Sequence, residues 1–570
     1  MIYKIFSLII LSTLSLTAQS VLDVKVKDTN SIKGENIFLD GMKAYLAEDY
    51  AAAEGHFNTV LEKYEQHPGT YHMLAVTLEK QGKIENALQM AKKAMELDLS
   101  NETYQAFYAD LLTVNHQYSD AEAIYKKAIK VTPSNERNYF ALVQIYKLLD
   151  DIPSAIKTLE SLEKVVGSTE EILQEKQQLY LLTNQMDKAI AEGEKLMEGS
   201  PQDDNYTLNQ AQFLIANKRY KEAEKLLNEA IEKQATLSEA YVLLAEVYRL
   251  QEELGKCGEA LRNAFKTDAL NPETKVKVLD TYAQLVIQKQ DAAALQDAID
   301  ISEELVKKNP DSGKLNIILG NLYKQNKDVN TARAYYEKSL TYEKSIFDVW
   351  MSLVEIDMQL EDYTALKKHA TLAAEYFPNQ AYFWYHSGLG NLFDQDPQEA
   401  LYAFDEAKAL SFNNPELLKN ILTHQALAYI KTKDYASAEK AFEGALDIDD
   451  KFSLALNEYS LYLLSRKKLL PKAEELAAAL VSEYPNELAY ADTYAQILFQ
   501  QQAYAKALIE LERAMKLNQK PSANQLEHYG DVLAKNGQIE KAISQWQKAK
   551  ELGANSANLN QKIASKNYIE

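Results

Sequence analysis

Leu319–Leu340, "LGNLYKQNKDVNTARAYYEKSL", reads as an amphipathic helical hairpin in which small Gly320 and Ala332 stand twelve residues apart. The position of Ala332 recurs along the chain. Ala53, Ala87, Ala121, Ala155, Ala189 and Ala223 follow one another at five successive intervals of 34 residues. After an interval of 37 the series resumes at Ala260 and passes through Ala298, Ala332, Leu366, Ala400, Ala438, Ala473, Ala507 and Ala542. That makes fifteen repeats, and Leu366 is the one departure from alanine.

A second small residue precedes most of these by twelve positions: Gly41, Ala75, Ala109, Ala211, Gly320, Gly388, Ala426, Ala495 and Gly530. Ala245 and Ala283 precede by fifteen, which reads as a three-residue insertion in repeats seven and eight. Ser460 sits one place early, and Val143, Gln177 and Val354 break the rule. Two small residues on neighbouring helical segments let antiparallel helices approach at the near end of the usual ~8 to 10 Å range. Alanine does so without loss of helix propensity. Leu319, Tyr323, Val329 and Tyr336 then fill the space beside the crossing.

Proline is an independent check, since it is excluded from helix interiors but tolerated in the first turn and past the end. Pro133, Pro201, Pro272, Pro310, Pro378 and Pro485 lie twelve residues after the periodic position, where a second helix stops. Pro153, Pro397 and Pro471 fall at the start of that helix, and Pro68, Pro415 and Pro521 in the links between repeats.

The unit resembles the tetratricopeptide repeat, whose 34 residues carry a bulky residue, Leu-Gly, Tyr, Ala, an aromatic and Pro in order. Repeat nine shows Leu319-Gly320, Tyr323, Ala332 and Tyr336; repeat eleven shows Trp384, Gly388, Ala400, Phe404 and Ala407; repeat ten shows Trp350, Leu353, Ala370, Ala373 and Pro378. Repeat five departs most, with Gln177 and Gly193 where small and aromatic residues are usual. The resemblance implies an all-α fold, an α-solenoid of antiparallel helix pairs wound into a right-handed superhelix. Each hairpin must stack on its neighbours, because it cannot bury its apolar face alone. The expected organisation is a signal peptide at 1–20, a short leader at 21–33, the array at 34–553 and a C-terminal capping segment at 554–570.

The rest of the composition agrees with an ordered, helix-favouring chain: 46% hydrophobic residues with 18 Gly and 12 Pro in 570. A net charge of −21 repels phosphate backbones and argues against nucleic-acid partners. "MIYKIFSLIILSTLSLTAQS" has Lys4, an apolar run Ile5–Leu16 and small residues to Ser20, the pattern of a cleavable export signal. The run is shorter than the ~20 residues a membrane span needs. No cysteine follows it to take a lipid, and no later segment is long and apolar enough to span a membrane. Export to the periplasm is expected, with the extracellular space as the alternative. Cys257 is the sole cysteine, expected as a small buried hydrophobe.

Chemistry is sparse. His56, His67, His72, His116, His369, His386, His424 and His528 form no metal-ligand spacing, and neither a phosphate loop nor a nucleophile elbow is present. No catalytic residue, metal or cofactor is expected. Paired acids such as those in Gln251–Lys256 read as solvated helix faces.

The resemblance implies a protein-binding scaffold that uses a concave surface lined by the first helix of each repeat. Some relatives grip a chaperone's C-terminal carboxylate with Lys and Asn there, but the matching places carry Ala106, Asp110, Phe140 and Gln144. Repeats ten to thirteen place Met351, Met358, Tyr382, Tyr385, Leu389, Leu392, Phe393, Leu427, Ile430, Leu461 and Leu464 on the implied surface. An apolar stripe of this kind marks a partner site. The competing reading is that these side chains pack between helices. The function expected is an exported, non-catalytic scaffold for a peptide or protein, within an envelope, secretion or surface-polymer assembly. The alternatives are a structural, self-assembling array and a subunit of an enzyme complex.

Overall fold

The computed structural model describes residues 29–64, 66–467, 469–516 and 520–569. The expected signal peptide 1–20 and residues 21–28 of the expected leader lie outside the described residues. Leader residues 29–33 belong to the first helix of the array.

The described residues form 31 helices and no strand. Hairpins one to four pair α1 (Thr29–Leu46) with α2 (Tyr50–Lys63), α3 (Pro68–Lys80) with α4 (Ile84–Leu97), α5 (Glu102–Val114) with α6 (Tyr118–Val131), and α7 (Glu136–Leu148) with α8 (Ile152–Val166). Then come α9 (Glu170–Leu182) with α10 (Met186–Gly199), α11 (Asp204–Ala216) with α12 (Tyr220–Lys233), α13 (Ser238–Leu250) followed by α14 (Leu254–Ala264), and α15 (Pro272–Lys289) with α16 (Ala292–Lys308). Hairpins nine to twelve are α17 (Gly313–Gln325) with α18 (Val329–Ser339), α19 (Phe347–Gln359) with α20 (Tyr363–Tyr376), α21 (Ala381–Phe393) with α22 (Pro397–Leu410), and α23 (Pro415–Lys431) with α24 (Tyr435–Ile448). The last three are α25 (Ser453–Arg466) with α26 (Leu470–Glu483), α27 (Leu488–Gln500) with α28 (Tyr504–Met515), and α29 (Ala523–Lys535) with α30 (Ile539–Glu551). A short α31 (Leu559–Ser565) follows them.

Hairpin nine shows how the sequence makes the unit. Lys327, just past α17, adopts a left-handed φ of 64°. The Asp328 N–H then donates back to the Tyr323 carbonyl at 3.0 Å, closing the helix end in a Schellman turn. The Asp328 carboxylate in turn accepts from the Thr331 N–H at 3.1 Å and starts α18. A left-handed residue occupies this turn in every hairpin, Gly82 and Gly537 in two of them and non-glycine residues in the rest. Gly320 is required for a different reason: a Cβ there would come within 2.5 Å of the Tyr336 ring. Gly41 and Gly530 are seats of the same kind for Phe57 and Trp546.

Every alanine of the periodic series, and Leu366, is buried. The turns nevertheless correct its register in hairpins seven and eight. Outside these two and hairpin thirteen, the periodic residue stands five places after the left-handed one, as Ala332 does after Lys327. Five places after Glu252 and Gln290 stand Cys257 and Leu295, not Ala260 and Ala298. Cys257 is 1% exposed and its N–H donates to Glu253, the bond that Ala332 makes to Asp328. The extra residues therefore lie within the 18-residue α15 and the 17-residue α16. In hairpin thirteen Ser460 is in register, and the added residue falls in a turn with two left-handed positions, Lys467 and Leu469. Hairpin five exchanges its small and large residues. Gly193 on α10 makes room for the amides of Gln210 and Gln177, the latter donating to the Ala189 carbonyl at 3.1 Å. No proline interrupts a helix, although Pro68 and Pro415 open the next helix instead of lying in a link, and Pro272 opens α15 instead of marking the stop of the helix before it.

The chain divides into two compact bodies, one up to Val247 and one from Tyr248 onward. In the first, one continuous apolar core runs from Ala53 to Ala189. In the second, a core built around Ala332, Leu366 and Ala400 is followed by smaller clusters toward the C-terminus. Leu559 of α31 closes the last of these on Leu533, Ala542 and Trp546. No described helix is long and apolar enough to cross a membrane.

Candidate partner-binding face

Four first helices carry the residues in question: α19, α21, α23 and α25. Polar rungs tie first helices to one another along the second body. Lys324 on α17 bonds Glu355 on α19 at 2.6 Å, the Tyr385 hydroxyl on α21 lies 3.2 Å from His424 Nδ1 on α23, and Asn457 on α25 accepts from Thr493 on α27 at 3.0 Å. Successive first helices thus present a common face, as a row of stacked hairpins requires.

The expected stripe does not lie uniformly on that face. Tyr385, Leu389 and Leu392 are 8%, 3% and 0% exposed and belong to the core with Phe383 and Phe404. They hold hairpin eleven together and offer no surface. Met351, Met358, Tyr382 and Leu427 are half-buried against the same core, and Ile430 and Leu464 against the next. Leu461 is half-buried too, and Phe393, at 39% exposure, stands out and packs on Tyr363 at 4.6 Å between centroids.

Two of the histidines that show no metal-ligand spacing in the sequence belong to this face. His386, one turn after Tyr382, packs on it at a centroid distance of 4.0 Å and on Tyr385 at 5.1 Å. Its Nδ1 lies 2.8 Å from the Tyr382 carbonyl oxygen, which only an N–H can satisfy. Burial lowers its pKa to about 4, so the ring is neutral and Nε2 remains an acceptor. His424 repeats the arrangement: Nδ1 lies 2.9 Å from the Asn420 carbonyl, and burial holds its pKa below the ordinary value. Burial also pushes Tyr382 up to about 12, with the Glu355 carboxylate adding to the effect. The signal available beforehand was spacing alone, since His386 and His424 lie four and three residues from Tyr382 and Leu427.

Behind the face, a polar brace fixes α19 against its neighbours. Asp357, wholly buried, accepts from Arg333 of α18 at 3.1 Å and lies 2.7 Å from His369 Nδ1 of α20. Arg333 also reaches Asp362 at 2.8 Å, and Glu337 lies 3.0 Å from His369 Nε2. A buried carboxylate held this way sets the orientation of three helices at once. Among the described residues, no three His, Cys, Asp or Glu side chains are grouped to hold a metal ion. At the places matching a carboxylate grip, Asp110 is taken up by Tyr125 and by Arg137 at 2.9 Å.

The family comparison agrees with the architecture. The family description "Tetratricopeptide repeat" matches residues 68–101, 314–345 and 420–452. The protein O-mannosyl-transferase TMTC1 of Homo sapiens is 26% identical over 175 residues, 31% of this chain and 20% of that protein. Its Mus musculus counterpart is 28% identical over 130 residues, 23% of this chain and 14% of that one. The chain therefore spans a fifth or less of the length of these relatives. Among solved structures, Naa15/Naa10 bound to HypK-THB covers 94% of this chain and 99% of its own, at 14% identity and a TM-score of 0.35. Yeast Tom70 covers 94% and 95%, at 16% identity and a TM-score of 0.34. With its 34-residue hairpins, buried periodic alanines and family matches in both bodies, the chain is a tetratricopeptide repeat protein.

Proposed function

We propose that the protein is an exported, non-catalytic scaffold that holds a peptide or protein partner on the first-helix face of hairpins ten to thirteen. The observation that carries the reading is the row of partly exposed apolar side chains, Met351, Met358, Tyr382, Phe393, Leu427, Ile430, Leu461 and Leu464, on four successive first helices. Met and aromatic side chains make adaptable contacts. The free Nε2 acceptors of His386 and His424 would orient a partner's N–H donors beside them. Export rests on the Ile5–Leu16 run and the small residues after it, and an envelope, secretion or surface-polymer assembly is the setting that follows.

The test is affinity capture from the native host's envelope fraction with the wild-type chain and a Met351→Glu, Phe393→Asp variant of matched helicity. Loss of a partner from the variant alone supports the reading. Equal capture by both overturns the site, and no partner in any fraction overturns the scaffold. Tyr385 and Leu389 are unsuitable targets because replacing core side chains unfolds the hairpin.

A second reading, a subunit working beside a glycosyl-transfer enzyme, draws support from the partial likeness to the two O-mannosyl-transferases. It requires that the captured partner carry transferase activity.

A further inference from the structure

The break in repeat length at hairpins seven and eight leaves a hollow. α14 has 11 residues and α16, packed beside it, has 17. At ~1.5 Å of rise per residue the difference amounts to about 9 Å of helix. The last turn of α16 therefore stands beyond the end of α14, where the chain has turned away through Phe265–Asn271 toward α15. A cavity of about 320 Å³ opens there. Its floor is Phe265, Ile301 and Leu305, and its rim is Arg262, Lys266, Lys308 and Glu304.

The rim has an unusual charge balance for a chain carrying −21. Arg262 is paired with Asp297, and its other arm lies 3.9 Å from Glu304. Lys266 bonds the neutral Asn263 amide at 2.6 Å, and neither Lys266 nor Lys308 has a carboxylate within ion-pair distance among the described residues. Lysines in a helix's last turn are ordinary, because they complement the helix dipole. An apolar hollow lined both by Lys308 of that kind and by Lys266, which lies past the end of α14, needs a further account. It matches an occupant with one negative charge and an apolar body.

We propose that this notch binds a small amphiphilic monoanion: a carboxylate or sulfonate held between Lys266 and Lys308, with an apolar body of on the order of ten carbons on Phe265, Ile301 and Leu305. The site is separate from the face of hairpins ten to thirteen and does not depend on it.

Decanoate is the probe, titrated calorimetrically into the full chain at low salt. The expected result is one saturable equivalent, weakened by added salt because the lysines are exposed. Decanol and decyltrimethylammonium should bind at least tenfold more weakly. Lys266→Gln with Lys308→Gln should weaken decanoate at least tenfold at unchanged helicity, whereas Lys308→Arg should stay within about threefold. Absence of saturable binding, equal binding of decanol, or unchanged affinity in the double glutamine variant would overturn the proposal.

Discussion

Asp492 on α27 and His528 on α29 stand 36 residues apart in the chain and 3.1 Å apart in space. The pair is one rung of a ladder that joins the first helices of hairpins thirteen to fifteen to α31: Asn457 to Thr493, Asp492 to His528, and Glu527 to Lys562. Burial alone would lower the histidine's pKa, but Asp492, with Asp531 and Glu527 farther off, outweighs it and raises the value. Lys562 is the cation that faces those last two carboxylates.

A raised histidine value means that its stabilisation is fully present below the ordinary value of 6.5 and is lost as pH rises through the folded one. His528→Gln should therefore destabilise the chain more at pH 5.5 than at pH 9. The side chain is 36% exposed, so solvent screens the pair and the difference stays below about 1 kcal/mol. Urea midpoints of both proteins across that range check it, and a pH-independent difference refutes it.

His72 has the opposite sign. It lies against Tyr104 and Phe107, each at 5.0 Å between centroids, its Nδ1 has no partner, and burial lowers its pKa to about 4. As pH falls below 6.5 the unfolded chain takes up the proton first, so stability drains away between 6.5 and 4. His72→Phe should lose about 2 kcal/mol less than wild type on going from pH 7 to 4.5. Hydrogen exchange across α3 and α5 at the two pH values would read this locally.

Two glycines should respond in opposite directions to alanine. A Cβ on Gly390 of α21 would lie 2.5 Å from the backbone nitrogen and 2.6 Å from the Cα of Lys367 on α20. Backbone cannot step aside as a side chain can, so Gly390→Ala should cost about 1 to 3 kcal/mol. Gly55 in α2 has nothing within 4 Å of its added Cβ, and Gly55→Ala should gain about 1 kcal/mol of helix propensity. Thermal melts of the two variants give the comparison directly.

Lys562 seals the C-terminal end of the array. Its ammonium sits 2.9 Å from Glu527 and 2.7 Å from Asp531, and the residue is 6% exposed. Burial would lower its pKa, but the two carboxylates prevail and raise it. Lys562→Met would leave Glu527 and Asp531 without their buried cation at a cost of about 3 kcal/mol, and Lys562→Arg should recover most of it. Faster hydrogen exchange confined to α29, α30 and α31 is the expected signature in the methionine variant.

The hairpins were legible in the sequence because one physical demand recurs in each: a close helix crossing that admits only a small residue on one side. Ala53 to Ala223 meet it at a fixed spacing, and all are fully buried. The reading slipped where it followed residue identity over spacing. Cys257 lies 34 residues after Ala223 and meets the same demand, while Ala260 is one turn beyond it. Leu295, like Leu366, shows that a larger residue can also hold the position.

The apolar stripe was legible as apolar but not as surface. A first helix touches its own partner and also its neighbours along the row, so more than one of its faces is covered. Tyr385, Leu389 and Leu392 fell on a covered side, while Phe393, one residue farther, did not. Helical periodicity alone cannot tell which flank a neighbour will cover.

By itself, the sequence determined the all-helical architecture, the number of the hairpins and the position of the crossing in most of them, because these depend on residue size and propensity within some 34 residues. Only the tertiary structure decided which apolar side chains stay accessible, that His386 and His424 join one face, that Asp357 is braced between Arg333 and His369, and that a short α14 leaves a hollow beside α16. Those outcomes depend on contacts between residues of successive hairpins. A repeat fixes its own crossing locally, but what each face meets is settled by the repeat stacked against it.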